Sequence, residues 1–447
     1  MTRAATDGSL ADAYDPMSAE VKQDPERYWA ALRPVQSVHH FTLPPEVADV
    51  ISANPLAAKP TTDFFSVLRY ADVRNLLMNP KMFSSTEGPG PERMVPMGEG
   101  GVLLFADDPV HIRQRRLAAK AFTPNSVSEL IPRIQNTADD LIDAVSDLGA
   151  MEIMRDLALP LSIRTIAAIV GVPMDRVDDF RRWGNGIVAA FGGDPAALNE
   201  GFVALQELFA YTQTLIDAVR SGTADAVSPD LAGGVLAGLV HAEVDGTRLT
   251  DDEIRLMLMQ LITAGFETTS TATANGIYLL CTHPEQRALY EAGDAERRRI
   301  AVEEIVRFAS PLEGLFRTCN EDVTIAGCPI QKGSKIRAVF ASANRDDEQF
   351  ADAGAFRIDR DPAELRKHLG FGLGPHACIG AALARAELQI VFNTVFSRLP
   401  GLELETSRPP IRSTVLTING FKELHIRWDP ARARSRADAG QEKADPA

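Results

Sequence analysis

The 447-residue sequence predicts a single, mostly α-helical domain with a minor β region. Three observations predict it. Apolar residues recur at helical spacing from Ser126 to Arg220, broken at Val172-Pro173, Gly192-Gly193-Asp194-Pro195 and Ser228-Pro229. A second helical pattern, free of proline, runs from Thr250 to Thr282. Strand-like segments are few and short, and they fall towards the two ends of the chain.

Hydrophobic residues make up 45% and charged residues 24%, which is enough apolar material for a core. No linker divides the chain, so residues 21–430 read as one domain between unstructured ends at 1–20 and 431–447, where large apolar residues are scarce. The formal net charge of −15, with no offsetting basic stripe, argues against nucleic-acid binding. No apolar run approaches the roughly 20 residues needed to span a bilayer, and the N-terminus has no apolar signal core. A cytoplasmic protein without membrane association is therefore expected. Cys281, Cys319, Cys328 and Cys378 lack close CxxC spacing, which fits reduced thiols.

In chain order, Asp24-Pro25-Glu26-Arg27-Tyr28-Trp29 opens a short helix, and Val35 to Phe41 and Phe65 to Leu68 follow as strands. Ser84 to Gly101, rich in Gly, Pro and Met, reads as a long loop and a candidate wall of a substrate pocket. Asp108 and Pro109 suit the start of a helix on which His111 and Arg115, four apart, share one face. Two such donors suit an anionic ligand. Arg113, Arg116 and Lys120 add a positive patch to an acidic protein. Leu157 to Val170 carries too much apolar surface for a surface helix and is assigned to the core.

Thr250-Asp251-Asp252-Glu253 has the capping-box form, so a helix starts there; roughly thirty residues at 1.5 Å each extend it to about 45–50 Å. Its middle, Ala264-Gly265-Phe266-Glu267-Thr268-Thr269, breaks helix preference, since a mid-helix glycine costs about 1 kcal/mol relative to alanine. Such violations are expected at functional sites. Ala264, Gly265 and Thr268 fall on one face and leave room for a cofactor or small ligand. Glu267 and Thr268 form an acid and alcohol pair able to relay a proton.

Phe371-Gly372-Leu373-Gly374-Pro375-His376-Ala377-Cys378-Ile379-Gly380 precedes a run of helix formers from Ala381 to Leu388. A cysteine at that junction is expected to have a lowered pKa, because N–H groups and the helix dipole favour its thiolate. One cysteine cannot complete a zinc site, but it can supply the single protein ligand of a haem iron. Gly372 and Gly374 then let the backbone approach a flat macrocycle, with positive φ. The pattern Phe-Gly-x-Gly-x-His-x-Cys-x-Gly resembles the haem-binding signature of the cytochromes P-450. His111-x-x-x-Arg115, Ala264-Gly265-x-Glu267-Thr268 and Glu304-x-x-Arg307 resemble further elements of that family, in the same order, and the resemblance runs roughly from Asp24 to Asp429.

The resemblance implies the single-domain cytochrome P-450 fold, with haem b between the long helix and the Cys378 helix and Cys378 as the axial thiolate. Phe371, Gly372, His376, Gly380, Ala264 and Gly265 would contact the haem, and His111, Arg115, Arg317 and His376 would serve its propionates. Glu267 and Thr268 would deliver protons. Glu304 and Arg307 would form a buried structural pair; a third arginine found in many members matches Ala355 here, leaving open whether Arg357 or another group replaces it. Leu261, Ala264, Leu312, Leu315, Phe316, Val415 and Leu416 would line the substrate pocket, with Trp183, Ile187, Val188, Phe191, Phe202 and Leu205 in its roof. Val323 to Ile330 and Lys335 to Phe340 read as hairpin strands, and Ser413 to Asp429 as a final pair turning at Asn419-Gly420.

The implied activity is that of a haem-thiolate monooxygenase inserting one oxygen atom from O2 into a lipophilic terpenoid, steroid or fatty-acid-like molecule. With no flavin or iron–sulfur motif in the sequence, electrons would come from a ferredoxin and its NAD(P)H-linked reductase, with Arg113, Arg116 and Lys120 as a docking surface. A monomer is expected. Two alternatives stay open: a non-catalytic haem or lipid-binding sensor, and a peroxide-driven haem-thiolate hydroxylase. The intact Glu267-Thr268 pair argues for dioxygen use.

Overall fold

The structure, a computed structural model, describes residues 7–52, 57–94, 100–119, 122, 124–191, 195–244 and 246–436. Lys120 and the break at Gly192-Gly193-Asp194 lie outside them, as do the side chains of Val188 and Phe191. Helices dominate, as the sequence predicts. Among the described residues no helix is long and apolar enough to cross a membrane.

The central helix spans Asp251–Thr282 and starts at a complete capping box: the Glu253 amide donates to Thr250 Oγ1 at 3.2 Å, and the Thr250 amide donates to Glu253 Oε2 at 2.9 Å. Most of its residues are buried on all sides, because the helices Leu159–Val170, Ala381–Arg398 and Ala295–Phe308 pack around it. Leu159–Val170 is a core helix, with Leu161, Ile163, Ile166, Ile169 and Val170 buried, in line with its all-round apolar sequence.

Beside the helical layer lies a five-stranded sheet in the order Val38–Thr42, Asp63–Val67, Lys335–Ala338, Leu315–Cys319, Phe83–Ser84. Lys335–Ala338 is parallel to Asp63–Val67 and antiparallel to Leu315–Cys319, so it belongs to this sheet. The expected hairpin forms only between Val323–Ile325 and Cys328–Ile330. The loop from Ser84 also joins the sheet: the Phe316 amide donates to Pro89 O at 2.9 Å and Lys335 Nζ donates to Gly88 O at 3.0 Å.

Several expectations are corrected by tertiary contacts. Residues 7–20 are not unstructured: Asp7–Asp12 is helical, Ser18 caps the helix Ala19–Gln23, and buried Tyr14 accepts a hydrogen bond from Trp29 Nε1 at 3.0 Å. At the other end, Arg398 Nε donates to Arg434 O at 3.0 Å, and Arg436 pairs with Asp140 and Asp143, which holds the described part of 431–447 against the helices. The final hairpin does not turn tightly at Asn419-Gly420: its connection spans residues 413–420, with the Ser413 amide donating to Gly420 O at 3.0 Å. Phe421–Glu423 pairs with Ile411–Arg412, and His425–Arg427 inserts between Glu403–Leu404 and Ala150–Glu152. Arg113 is ion-paired with Glu253 on the central helix, which removes it from the expected positive patch.

Glu304 and Arg307 form the expected buried pair, both side chains fully shielded, with Arg307 Nε 2.7 Å from Glu304 Oε2. Arg360 supplies the third member, Nε donating to Glu304 Oε1 at 3.0 Å. Arg357 gives Glu304 only its backbone amide, at 2.9 Å, and turns its side chain to Asp352 and Asp359. A carboxylate buried at that depth needs its lone pairs satisfied, and Arg360 is long enough to reach it.

Candidate active site

The Cys378 loop is closed by the Cys378 amide donating to Phe371 O at 2.8 Å. Gly372 and Gly374 take φ +68° and +73°, the left-handed values that the loop requires of them. A Cβ on Gly374 would also meet Leu77 O at 2.7 Å. Gly380 caps the helix Ala381–Arg398 and donates its backbone N–H to the Cys378 sulfur.

Cys378 lies deep in the chain with its side chain bare to a cavity. Its pKa is raised, not lowered: burial outweighs the Gly380 N–H and the Arg115 and Arg385 guanidinium groups, which all pull it down. The expected lowering counted the helix terminus and omitted desolvation. In a site this enclosed, a cation bound to the sulfur is what would hold it as thiolate.

The cavity occupies about 1300 Å³ when the solvent-filled space of its open mouth is included. Cys378, Phe371 and Gly372 form one wall, and Leu261, Ala264 and Thr268 of the central helix form another. Thr268 Oγ1 donates to Ala264 O at 2.7 Å, which turns its oxygen's remaining acceptor capacity outward. Gly265 does not border the cavity. It faces Leu159–Val170, where a Cβ would lie 2.3 Å from Ile166 Cδ1, so its role is close helix packing. Glu267 also lies off the wall, and burial alone lifts its pKa to about 7.

His111, Arg115, Arg317 and His376 all border the same cavity. The rings of His111 and His376 lie 4.1 Å apart at 32°, and Ser85 Oγ is 3.2 Å from His376 Nε2. Burial, followed by the charges of Arg317, His111 and Arg115, pushes the His376 pKa down to about 2. Burial lowers Arg317 to about 10, with Asp107 opposing. The hydrogen bonds of both guanidinium groups go to backbone carbonyls: Arg115 to Ala377 O at 2.6 Å and Arg317 to Phe316 O at 2.8 Å. His111 Nδ1 is buried, with the Asp108 carboxylate 3.5 Å away. Two buried guanidinium groups with no carboxylate in hydrogen-bond reach among the described residues, on the lining of a largely apolar cavity, fit a bound dianion, and the thiol on its wall fits the iron of a haem.

Of the expected pocket residues, Leu261, Ala264, Leu312 and Leu315 line the cavity. Phe316 does not: strand alternation sends it to the opposite face, buried 5.1 Å from the Phe64 ring while Leu315 and Arg317 face the cavity. Val415 and Leu416 are held away because their carbonyls accept from Lys22 Nζ at 2.9 Å and Arg337 Nη2 at 2.6 Å. Trp183 and Ile187 are buried in the main core, Trp183 donating to Glu207 at 2.7 Å, and neither these nor Phe202 and Leu205 reach the cavity. The described part of Ser84 to Gly101 contributes no wall. Leu103 and Leu104, just beyond it, do, with Leu77, Gln260, Thr269 and Ala272. Gln260 had one readable signal, a polar residue one turn before Ala264 on an apolar helix.

The family model for cytochrome P-450 matches residues 191–421. The chain is 30% identical to a steroid C26-monooxygenase of Mycolicibacterium smegmatis, over 82% of this chain and 84% of that protein. It is 31% identical to the vitamin D(3) 25-hydroxylase of Pseudonocardia autotrophica, over 94% of this chain and 98% of that protein. Among solved structures, CYP109E1 from Bacillus megaterium in complex with testosterone matches with a TM-score of 0.75 at 30% identity, covering 91% of this chain and 99% of the other.

Proposed function

The chain belongs to the cytochrome P-450 family and is a monooxygenase, and from that premise we propose that it oxygenates a steroid-like lipophile using haem b. The observation that carries the reading is that Cys378 and Thr268 border one largely apolar cavity that His111, Arg115, Arg317 and His376 also line. Cys378 would hold the iron, and His111, Arg115, Arg317 and His376 the propionates. When bound, haem supplies the activation of dioxygen and the insertion of one oxygen atom.

The chain's own residues bind, orient and move protons. Leu103, Leu104, Leu261, Leu312 and Leu315 exclude water and accept an apolar skeleton. Glu267, with a pKa of about 7, holds a proton near neutral pH as the reservoir of the relay, and the Thr268 hydroxyl delivers its own proton to the cavity by turning from Ala264 O and is reprotonated from that reservoir. The names of the steroid and vitamin D relatives support a polycyclic substrate over a linear one. Electrons are proposed to come from a ferredoxin and its NAD(P)H-linked reductase, in the cytoplasm, with the enzyme acting as a monomer. Titration of the haem-loaded protein with testosterone tests the substrate class: a low-to-high spin shift is expected, and a shift only with fatty acids would overturn it.

A further inference from the structure

We propose that Gln114 and Gln260 form a two-sided clamp that fixes Leu103 and Leu104 as a rigid wall of the substrate pocket, and so determine which lipophiles fit. The inference rests on the reading of the cavity as a substrate pocket.

Leu103 has φ +42°, in the left-handed region that a side chain with a Cβ rarely occupies. Such a conformation persists where its surroundings over-determine it. Here two helices do so through two buried glutamines, 0% and 7% exposed. Gln114, on the helix Val110–Ala119, accepts from the Leu103 amide at 2.8 Å and donates to Gly101 O at 3.1 Å and Glu253 Oε1 at 3.0 Å. Gln260, on the central helix, accepts from the Leu104 amide at 3.1 Å and donates to Val102 O at 2.8 Å. Each of the residues 101 to 104 thus gives one backbone group to a glutamine amide. Gly101 lets the turn close, since a Cβ there would lie 2.0 Å from Phe105 O.

The consequence falls on the pocket. Leu103, Leu104 and Gln260 all border the cavity, and Gln260 sits four and eight residues before Ala264 and Thr268 on the same helix. The leucine wall is therefore held at a fixed offset from Thr268 along a rigid element. Both ends of the Gln260 amide are engaged by backbone, so this side of the pocket presents aliphatic surface to a ligand. Gln114 and Gln260 are positioning residues: they act on the substrate through Leu103 and Leu104.

The test uses the haem-loaded enzyme as wild type, Gln114→Leu, Gln260→Leu and Gln260→Glu, which keeps side-chain size and the acceptor for Leu104. Hydrogen exchange should show protected Leu103 and Leu104 amides in the wild type and exchange at least tenfold faster in both leucine variants, with Gln260→Glu between. Imidazole is small and needs only the iron, whereas 4-phenylimidazole also reaches for the pocket walls. Affinity for the second relative to the first should fall at least tenfold in the leucine variants, with the carbon-monoxide band of the reduced protein unchanged. Unprotected amides in the wild type, or an unchanged affinity ratio despite faster exchange, overturn the clamp. If one leucine variant fails to load haem, the other and Gln260→Glu decide. A wild type that ignores testosterone while the ratio still shifts defeats the steroid reading and supports the clamp.

Discussion

Arg360 Nε lies 3.0 Å from Glu304 Oε1, with 2% and 0% of the two side chains exposed, and it completes a three-membered buried network with Arg307. Without Arg360, Glu304 keeps Arg307 but loses one charged hydrogen bond, and the carbonyls of Asp352 and Ala355 lose a donor. Arg360→Ala should therefore destabilise the fold by about 1.5–3 kcal/mol. Arg357→Ala, which loses only exposed pairs with Asp352 and Asp359, should stay within about 0.5 kcal/mol of wild type. Urea unfolding of the two variants distinguishes them, and similar losses would refute the assignment of Arg360 over Arg357.

Cys378 is the one thiol on the cavity wall among the described residues. Cys378→Ser should abolish the carbon-monoxide difference band of the reduced protein that marks a thiolate ligand. Retention of that band would remove Cys378 from the iron.

Thr268 Oγ1 is tied to Ala264 O yet opens on the cavity. Thr268→Ala should lower product formation by roughly 10²-fold while NAD(P)H consumption continues. Equal product per NAD(P)H in variant and wild type would exclude the hydroxyl from proton delivery.

Glu267 has a carboxyl pKa raised to about 7 by burial. Below that pH it carries the proton that it is proposed to deliver, and above it the proton is lost. Product formed per NAD(P)H should decline as pH rises through about 7 in wild type and be flat in Glu267→Gln. A wild-type profile flat across that range would count against the relay.

Glu387 is 2% exposed, forms no ion pair among the described residues, and accepts from Ser162 Oγ at 2.5 Å. Burial raises its pKa from 4.5 to about 7, with the hydrogen bonds of Ser162 and Thr165 opposing. Between those two values the folded protein holds one proton more than the unfolded chain, so stability falls as pH rises across the window. Wild type should lose about 3 kcal/mol relative to Glu387→Gln between pH 4.5 and 7 in denaturant unfolding. Parallel pH dependences in the two proteins would contradict it.

Motifs that are local in sequence were legible. The capping box at Thr250, the glycines that turn the Cys378 loop, and the four spacing of His111 and Arg115 all act within a few residues, and each was found where the sequence put it. Side-chain direction was less legible. Gly265 follows Ala264 by one residue, a rotation of about 100° on a helix, and that turns it from the cavity to Ile166. Phe316 sits between two cavity residues on a strand and therefore faces the other way.

The sequence by itself determined the family, the cysteine that faces the cavity and the acid and alcohol on the central helix, because these reside in short patterns whose geometry the backbone enforces. Tertiary structure alone decided which arginine reaches Glu304, that burial raises rather than lowers the Cys378 pKa, and that two glutamines 146 residues apart meet at Leu103 and Leu104. Desolvation and long-range hydrogen bonds depend on what surrounds a group in space, and no spacing along the chain encodes that.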